Sequence, residues 1–169
     1  MITIEINDAE ISAALGRVSQ VLSDATGMMN EIGDYLVEKT ENRFKSQTAP
    51  DGTAWAPRAP STLNRYKKAG IKFGGILHVS GQLGQSIFHE HNSTSVRIGT
   101  PEKYAGVQQL GAAQGAFGAF MGKDKNGRDH FHHLPWGDIP ARPFIGVSDE
   151  ESEGVLDIVS ETLAASLQG

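Results

Sequence analysis

Asp129-His130-Phe131-His132-His133 is the densest run of metal-capable side chains in the sequence. Imidazoles at i, i+2 and i+3 beside a carboxylate are donor types that Zn²⁺ accepts, and a metal-dependent hydrolase is the enzyme they would serve. A working metal site, however, draws its ligands from rigid elements with supporting partners. This run lies in a Gly-rich stretch without a steady period, so a segment that packs at an interface is the plainer reading. His89 and His91 share one face of an expected strand, where a solvated face is again plainer.

A second chemistry is suggested by charge. Between Lys39 and Lys72 eight basic residues stand against two acids, a local balance of +6, with Trp55, Tyr66 and Phe73 interleaved. Such a stretch favours phosphate contacts through counterion release, which is the case for a DNA-binding module. Against it, the whole chain carries a formal net charge of −5, and no recognised nucleic-acid motif is present. From Asp149 onward there are six acids and no base. A positive middle and a negative tail can attract further copies of the chain or a charged partner; solvated faces of two helices are the plainer alternative.

The remaining catalytic signatures are missing. There is no G-x-S-x-G, P-loop, H-E-x-x-H or G-x-G-x-x-G after a strand. With no Cys among 169 residues, disulfide scaffolds, thiolate zinc sites and cysteine nucleophiles are excluded. No apolar run approaches the ~20 residues of a membrane span, and the first residues lack the pattern of a signal peptide. The sequence therefore assigns no catalytic residue, no cofactor and no metal.

The elements that would position these groups follow from periodicity. Ile2, Ile4 and Ile6 alternate with polar residues as in a half-buried strand. Asn7 or Asp8 can cap a helix with the stripe Ile11, Ala14, Leu15, Val18 and Leu22. Ser23 or Asp24 opens a longer helix along Ala25, Met28, Met29, Ile32, Leu36, Thr40 and Phe44, which stops before the Pro50-Asp51-Gly52 turn. Short helices are expected from Pro60 to Lys68, from Ser80, and over Pro101–Leu110 ahead of Gly111. Phe88–His91 and Ser95–Gly99 read as a hairpin with Asn92-Ser93-Thr94 at its tip. Residues 112–138 read as one long flexible Gly-rich loop, and Ile139–Val147 as a core strand entered through Pro140. Ser148 and Glu151 form a capping box for a last helix. The expected fold is α+β: a small antiparallel sheet packed against two or three long helices, in a single domain over residues 1–169.

Four ordered segments carry a resemblance. They are Phe44 with Asp51-Gly52-Thr53-Ala54-Trp55; Leu77-His78-Val79-Ser80-Gly81-Gln82-Leu83 with Ser86-Ile87; Val96–Thr100 leading to Tyr104-Ala105 and Gln109-Leu110-Gly111; and Ile139–Ser148. In that order they are similar to the Mu-like phage virion morphogenesis family, which includes tail completion proteins of tailed phages. The resemblance implies a structural virion protein at the neck or the head-proximal end of the tail, assembled in the bacterial host cytoplasm. It implies a homo-oligomer, a ring of six, that caps or completes the tail tube, meets other neck and tail tube proteins, lets DNA pass, and has no membrane partner. Catalysis has no part in that role. The residues expected at contacts are Trp55, Arg65, Lys67, Lys68, Arg142, Phe144, Glu150 and Glu151.

Overall fold

A computed structural model describes residues 8–168, so the expected strand through Ile2, Ile4 and Ile6 lies outside the described residues. The helices are α1 (Asp8–Ser23), α2 (Thr26–Ser46), α3 (Pro60–Lys68), α4 (Gln82–Gln85), α5 (Ala105–Leu110) and α6 (Asp149–Gln168). The strands are β1 (Phe88–His91), β2 (Val96–Gly99), β3 (Ala119–Lys123) and β4 (Asp129–His133). They form two separate antiparallel pairs, β1–β2 and β3–β4. The class is α+β, as the periodicities predict, with two small sheets among the described residues where one was expected. No described helix is long and apolar enough to cross a membrane.

The chain divides into two units interleaved in sequence. The first holds the chain up to Lys39, Phe88–Gly99 and the chain from Val147; the second holds Thr40–Ile87 and Thr100–Gly146. In the first unit Ala25, Met28, Ile32 and Leu36 form one buried stripe of α2, which Val96 and Ile98 of β2 and Val155, Ile158 and Val159 of α6 cover. Asp24 opens α2 by accepting from the Thr26 amide (3.1 Å) and hydroxyl (2.6 Å), which holds its carboxyl below the ordinary range. The Ser148–Glu151 capping box opens α6, with reciprocal bonds of 2.9 and 3.1 Å.

The β1–β2 hairpin pairs Phe88 with Gly99 and His91 with Val96. Its tip is an Asx turn in which Asn92 Oδ1 accepts from the amides of Thr94 and Ser95. His89 departs from the expected solvated face. Its Nε2 lies 3.1 Å from Asp34 Oδ1, its side chain is 14% exposed, and the ring occupies the space a Cβ at Gly33 would need. A buried glycine in α2 thus makes room for an imidazole.

Among the described residues the stripe expected on α1 is covered only in part, at half-buried Ala14 and Val18. Ile11, Leu15 and Leu22 are 52%, 60% and 62% exposed, and no residue of α1 is fully buried. The reason is that α1 meets α6 through a different side. Arg17 of α1 donates from Nε to the Ser166 carbonyl (2.8 Å) and from Nη2 to that of Leu167 (3.0 Å). These are carbonyls of the last turn of α6, which has no basic residue of its own.

In the second unit, Gly52 (φ +80°) turns the chain after α2 and a bridge joins Thr48 to Ala54. Gly111 ends α5 at φ +74°, where a Cβ would fall 2.6 Å from the Ile139 carbonyl oxygen. Only glycine fits there.

Two expectations in this unit need correction. Residues 112–138 are not one long loop, because β3 and β4 pair over five positions from Ala119↔His133 to Lys123↔Asp129. Apolar residues fall on both faces of these strands, so the alternation that announces a half-buried strand is absent. Asn126-Gly127, with Gly127 at φ +76°, was the usable signal, being a hairpin dipeptide between two strands. Conversely, Ile139–Val147 makes only an isolated bridge, Ala112–Ile139, and no strand. Pro140 and Pro143 bring no N–H to a ladder. The Gln109 side chain pairs with the backbone of residues 144–145 in place of a neighbouring strand. Its Oε1 accepts from the amides of Phe144 (2.9 Å) and Ile145 (3.1 Å), and its Nε2 donates to the Ile145 carbonyl (2.8 Å).

Candidate functional site

The second unit is organised around one aromatic and arginine cluster. Phe144 is 1% exposed and Trp55 4%. The Phe44 ring packs on both, with centroids 5.4 Å from each, edge-on to Trp55. The Trp55 indole N–H donates to the Pro143 carbonyl at 2.7 Å. From α2, Arg43 Nη1 donates to the carbonyls of Phe144 (2.9 Å) and Gly146 (3.0 Å). Arg142 donates to the Ala56 carbonyl (2.7 Å, Nε) and the Pro57 carbonyl (2.9 Å, Nη2). Because these segments are proline-rich and form no sheet, their carbonyls lack ladder partners, and guanidinium N–H groups fill the need. Arg142, expected at an outer contact, instead meets carbonyl oxygens of its own unit. Burial, and next the charge of Arg58, lower its pKa from the ordinary arginine value.

Beside this cluster a cleft of about 690 Å³ is lined by Arg58, Arg65, Tyr66, Leu83, Trp136 and Arg142 among others. Arg58 stacks over Phe73 at 4.6 Å and donates to the Gly75 carbonyl at 2.7 Å. Tyr66 and Phe73 pack on each other with centroids 5.4 Å apart. Together with buried Trp55, the aromatics interleaved in the basic stretch therefore each have a packing partner within the unit, although Phe73 stays 42% exposed. That weakens their use as base-stacking platforms. Arg65, Lys67 and Lys68 lie exposed on α3.

The β3–β4 hairpin has a different character. Strand alternation sends His130 and His132 to one face and Phe131 and His133 to the other. That divides the metal-capable run, and among the described residues no group of three or more such side chains is gathered around a metal position. The hydrolase alternative is left without a three-ligand set there. On one face the His132 ring stacks on Phe120 (5.1 Å) and meets Trp136 (5.2 Å). On the other, Met121 stands opposite Phe131. Phe117, Phe120, Met121, Phe131 and Trp136 are all 52–70% exposed. The sequence points to a segment here that packs at an interface, but as a loop; the hairpin that displays these side chains on two faces is visible only in the structure.

In the first unit, Glu150 at the start of α6 is exposed and lies 3.5 Å from Lys39 Nζ. Lys39 has a raised pKa, first through Tyr35 and then, against some desolvation, through Glu150. Glu151 is buried as the return half of the capping box. Of the eight residues expected at contacts, then, Trp55, Arg142, Phe144 and Glu151 are interior. Arg65, Lys67, Lys68 and Glu150 are exposed.

Comparison with known proteins agrees with the ordered segments. The chain is 25% identical over 166 residues to a protein of Escherichia phage Mu described as a putative capsid assembly protein G, covering 98% of this chain and 96% of that one. It is 25% identical over 169 residues to the Mu-like prophage FluMu G protein 1 of Haemophilus influenzae, covering 99% and 98%. No solved structure matches the chain. The model of the phage virion morphogenesis family matches residues 6–164, from the start of α1 to the last turns of α6, so that the buried cluster, the hairpin and both charged helices all fall within it: the chain belongs to that family.

Proposed function

We propose that this chain is a structural virion protein of the head–tail junction, which completes or caps the tail tube and helps join it to the head. It acts as one tail-completion or neck domain, in a ring of six copies that contacts other neck and tail tube proteins and leaves a passage for DNA. The work is surface complementarity, not bond chemistry. The observation that carries this reading is the family match along nearly the whole chain. Support comes from the exposed apolar hairpin, a surface of the kind that soluble monomers rarely leave bare. Arg65, Lys67 and Lys68 on α3 of one copy, and Glu150 at the start of α6 of the next, steer approach in the closed ring, where every copy presents two different surfaces.

The test is location and phenotype. Particles made without the protein should accumulate heads and tails that fail to join or tails of uncontrolled end structure. A labelled copy should appear at the neck in images of complete particles. Its absence from purified particles, or a position away from the neck, overturns the reading.

A further inference from the structure

We propose that the β3–β4 hairpin is an arm that docks on the exposed stripe of α1 in a second copy of this chain. The proposal rests on the ring reading above and names the contact that closes it.

The arm is under-supported within its own chain. A lone two-stranded hairpin is marginal in water, and no other described element packs extensively on either strand. Yet both faces are apolar: Phe120 and Trp136 flank His132 on one, and Met121 pairs with Phe131 on the other. At 52–70% exposure, and with ~150–250 Å² for a whole aromatic side chain, Phe117, Phe120, Met121, Phe131 and Trp136 offer on the order of 500 Å² of apolar surface. That is more than half of the ~800 Å² per partner in a standard specific interface.

A matching surface belongs to the same sequence. Ile11, Leu15 and Leu22 recur at i, i+4 and i+11, which places them on one face of α1, and all three are more than half exposed. The charges around the two surfaces are opposed. At the tip of the arm Lys125 and Arg128 are exposed, whereas Lys123 pairs with Asp129 and Asp124 accepts from the tip amides. Alongside the stripe, α1 begins with Asp8 and Glu10, and its one base, Arg17, is engaged with the last turn of α6. Two unlike, complementary surfaces on one chain give a heterologous contact, which repeats head to tail until it closes. A second copy supplies both the apolar area and the opposite charge, and that fixes the occupant.

The experiment is a mixing test on the full chain. An arm variant, Met121→Ser with Phe131→Ser, and a stripe variant, Leu15→Glu with Leu22→Glu, alter only exposed side chains, and unchanged melting of each checks that the rest of the fold is intact. By sedimentation equilibrium, wild type should self-associate as its concentration rises, and each variant alone should associate at least tenfold more weakly. Mixed in equal amounts, the two variants retain one good arm and one good stripe between them. They should form 1:1 dimers and stop. Variants that associate like wild type, a mixture that stays monomeric, or a wild type that stays monomeric at the highest attainable concentration would each overturn the proposal. Particle assembly is read separately: variants that lose particle yield while self-association is unchanged refute the arm contact and leave the head–tail role standing.

Discussion

Phe144 and Phe131 are the same residue type in the same unit, and their surroundings are opposite. Phe144 is 1% exposed, packed on Phe44, with its amide and carbonyl held by Gln109 and Arg43. Phe131 is 58% exposed on a strand that only its hairpin partner supports. Around Phe144, prolines remove ladder donors and long polar side chains replace them, so aromatic packing and hydrogen bonding converge on one place. Around Phe131 the backbone is satisfied by the hairpin alone and the side chains are left over. A region whose polar groups and aromatics all find partners internally serves stability; one that satisfies its backbone and leaves its aromatics bare is suited to meeting something else.

The strongest way to break this contrast is truncation. Phe144→Ala should destabilise the chain by about 4 kcal/mol, through lost transfer energy and a cavity beside Phe44. Phe131→Ser should change stability by less than about 0.5 kcal/mol. Urea unfolding of both variants reads the difference, and equal losses would mean that the hairpin belongs to the core.

Arginine offers the next comparison. Arg142→Met should cost about 1.5–3 kcal/mol, because the carbonyls of Ala56 and Pro57 lose charged donors inside the unit. Arg128→Met at the exposed tip should be neutral within about 0.5 kcal/mol. Thermal melts in which the two variants coincide would show that the guanidinium of Arg142 is dispensable.

Charge steering should be smaller and should depend on salt. Exposed pairs contribute about 0–1 kcal/mol each. Lys67→Glu with Lys68→Glu on α3 should slow assembly, and Glu150→Lys with Glu153→Lys in the same chain should partly restore it. Glu151 is unsuitable for this test because its carboxylate caps α6. Identical assembly rates for the double and quadruple variants across a salt series would assign the contact to apolar surface alone.

The smallest effect expected is at Asp51. Its carboxylate accepts from the Thr53 hydroxyl (2.7 Å) and amide (3.0 Å), which lowers its pKa below the ordinary 3.8. A folded-state pKa below the unfolded one adds stability that is present above the unfolded value and is lost as pH falls through the folded one. Wild type should therefore melt slightly above Asp51→Asn near neutral pH, and the difference should close in acid below the ordinary carboxylate range. A gap that persists unchanged into strong acid would place the effect elsewhere.

Most local structure was legible in the residues themselves. The core stripe of α2, the Ser148–Glu151 box, the Asn92 hairpin tip and the Gly52 turn each depend on side chains within a few positions of one another. Short-range geometry settles such features, and they appear as spacing. The absence of the usual catalytic signatures was legible for the same reason. The ordered segments were also enough to indicate the family.

What only the tertiary structure decided depends on partners distant in sequence. Whether the stripe of α1 is covered turned on Arg17 reaching the end of α6, 149 residues away. That Ile139–Val147 forms no strand turned on its prolines and on a glutamine in α5 whose side-chain oxygen accepts from the amides of Phe144 and Ile145 in place of a ladder carbonyl. The fate of Trp55, Arg142 and Phe144 was set by carbonyls 85–88 residues distant, or by a ring across the cluster. Spacing along the chain records local periodicity. It does not record which distant group will satisfy a buried carbonyl or leave an aromatic face bare, because that is decided by packing and hydrogen bonding after the elements have met.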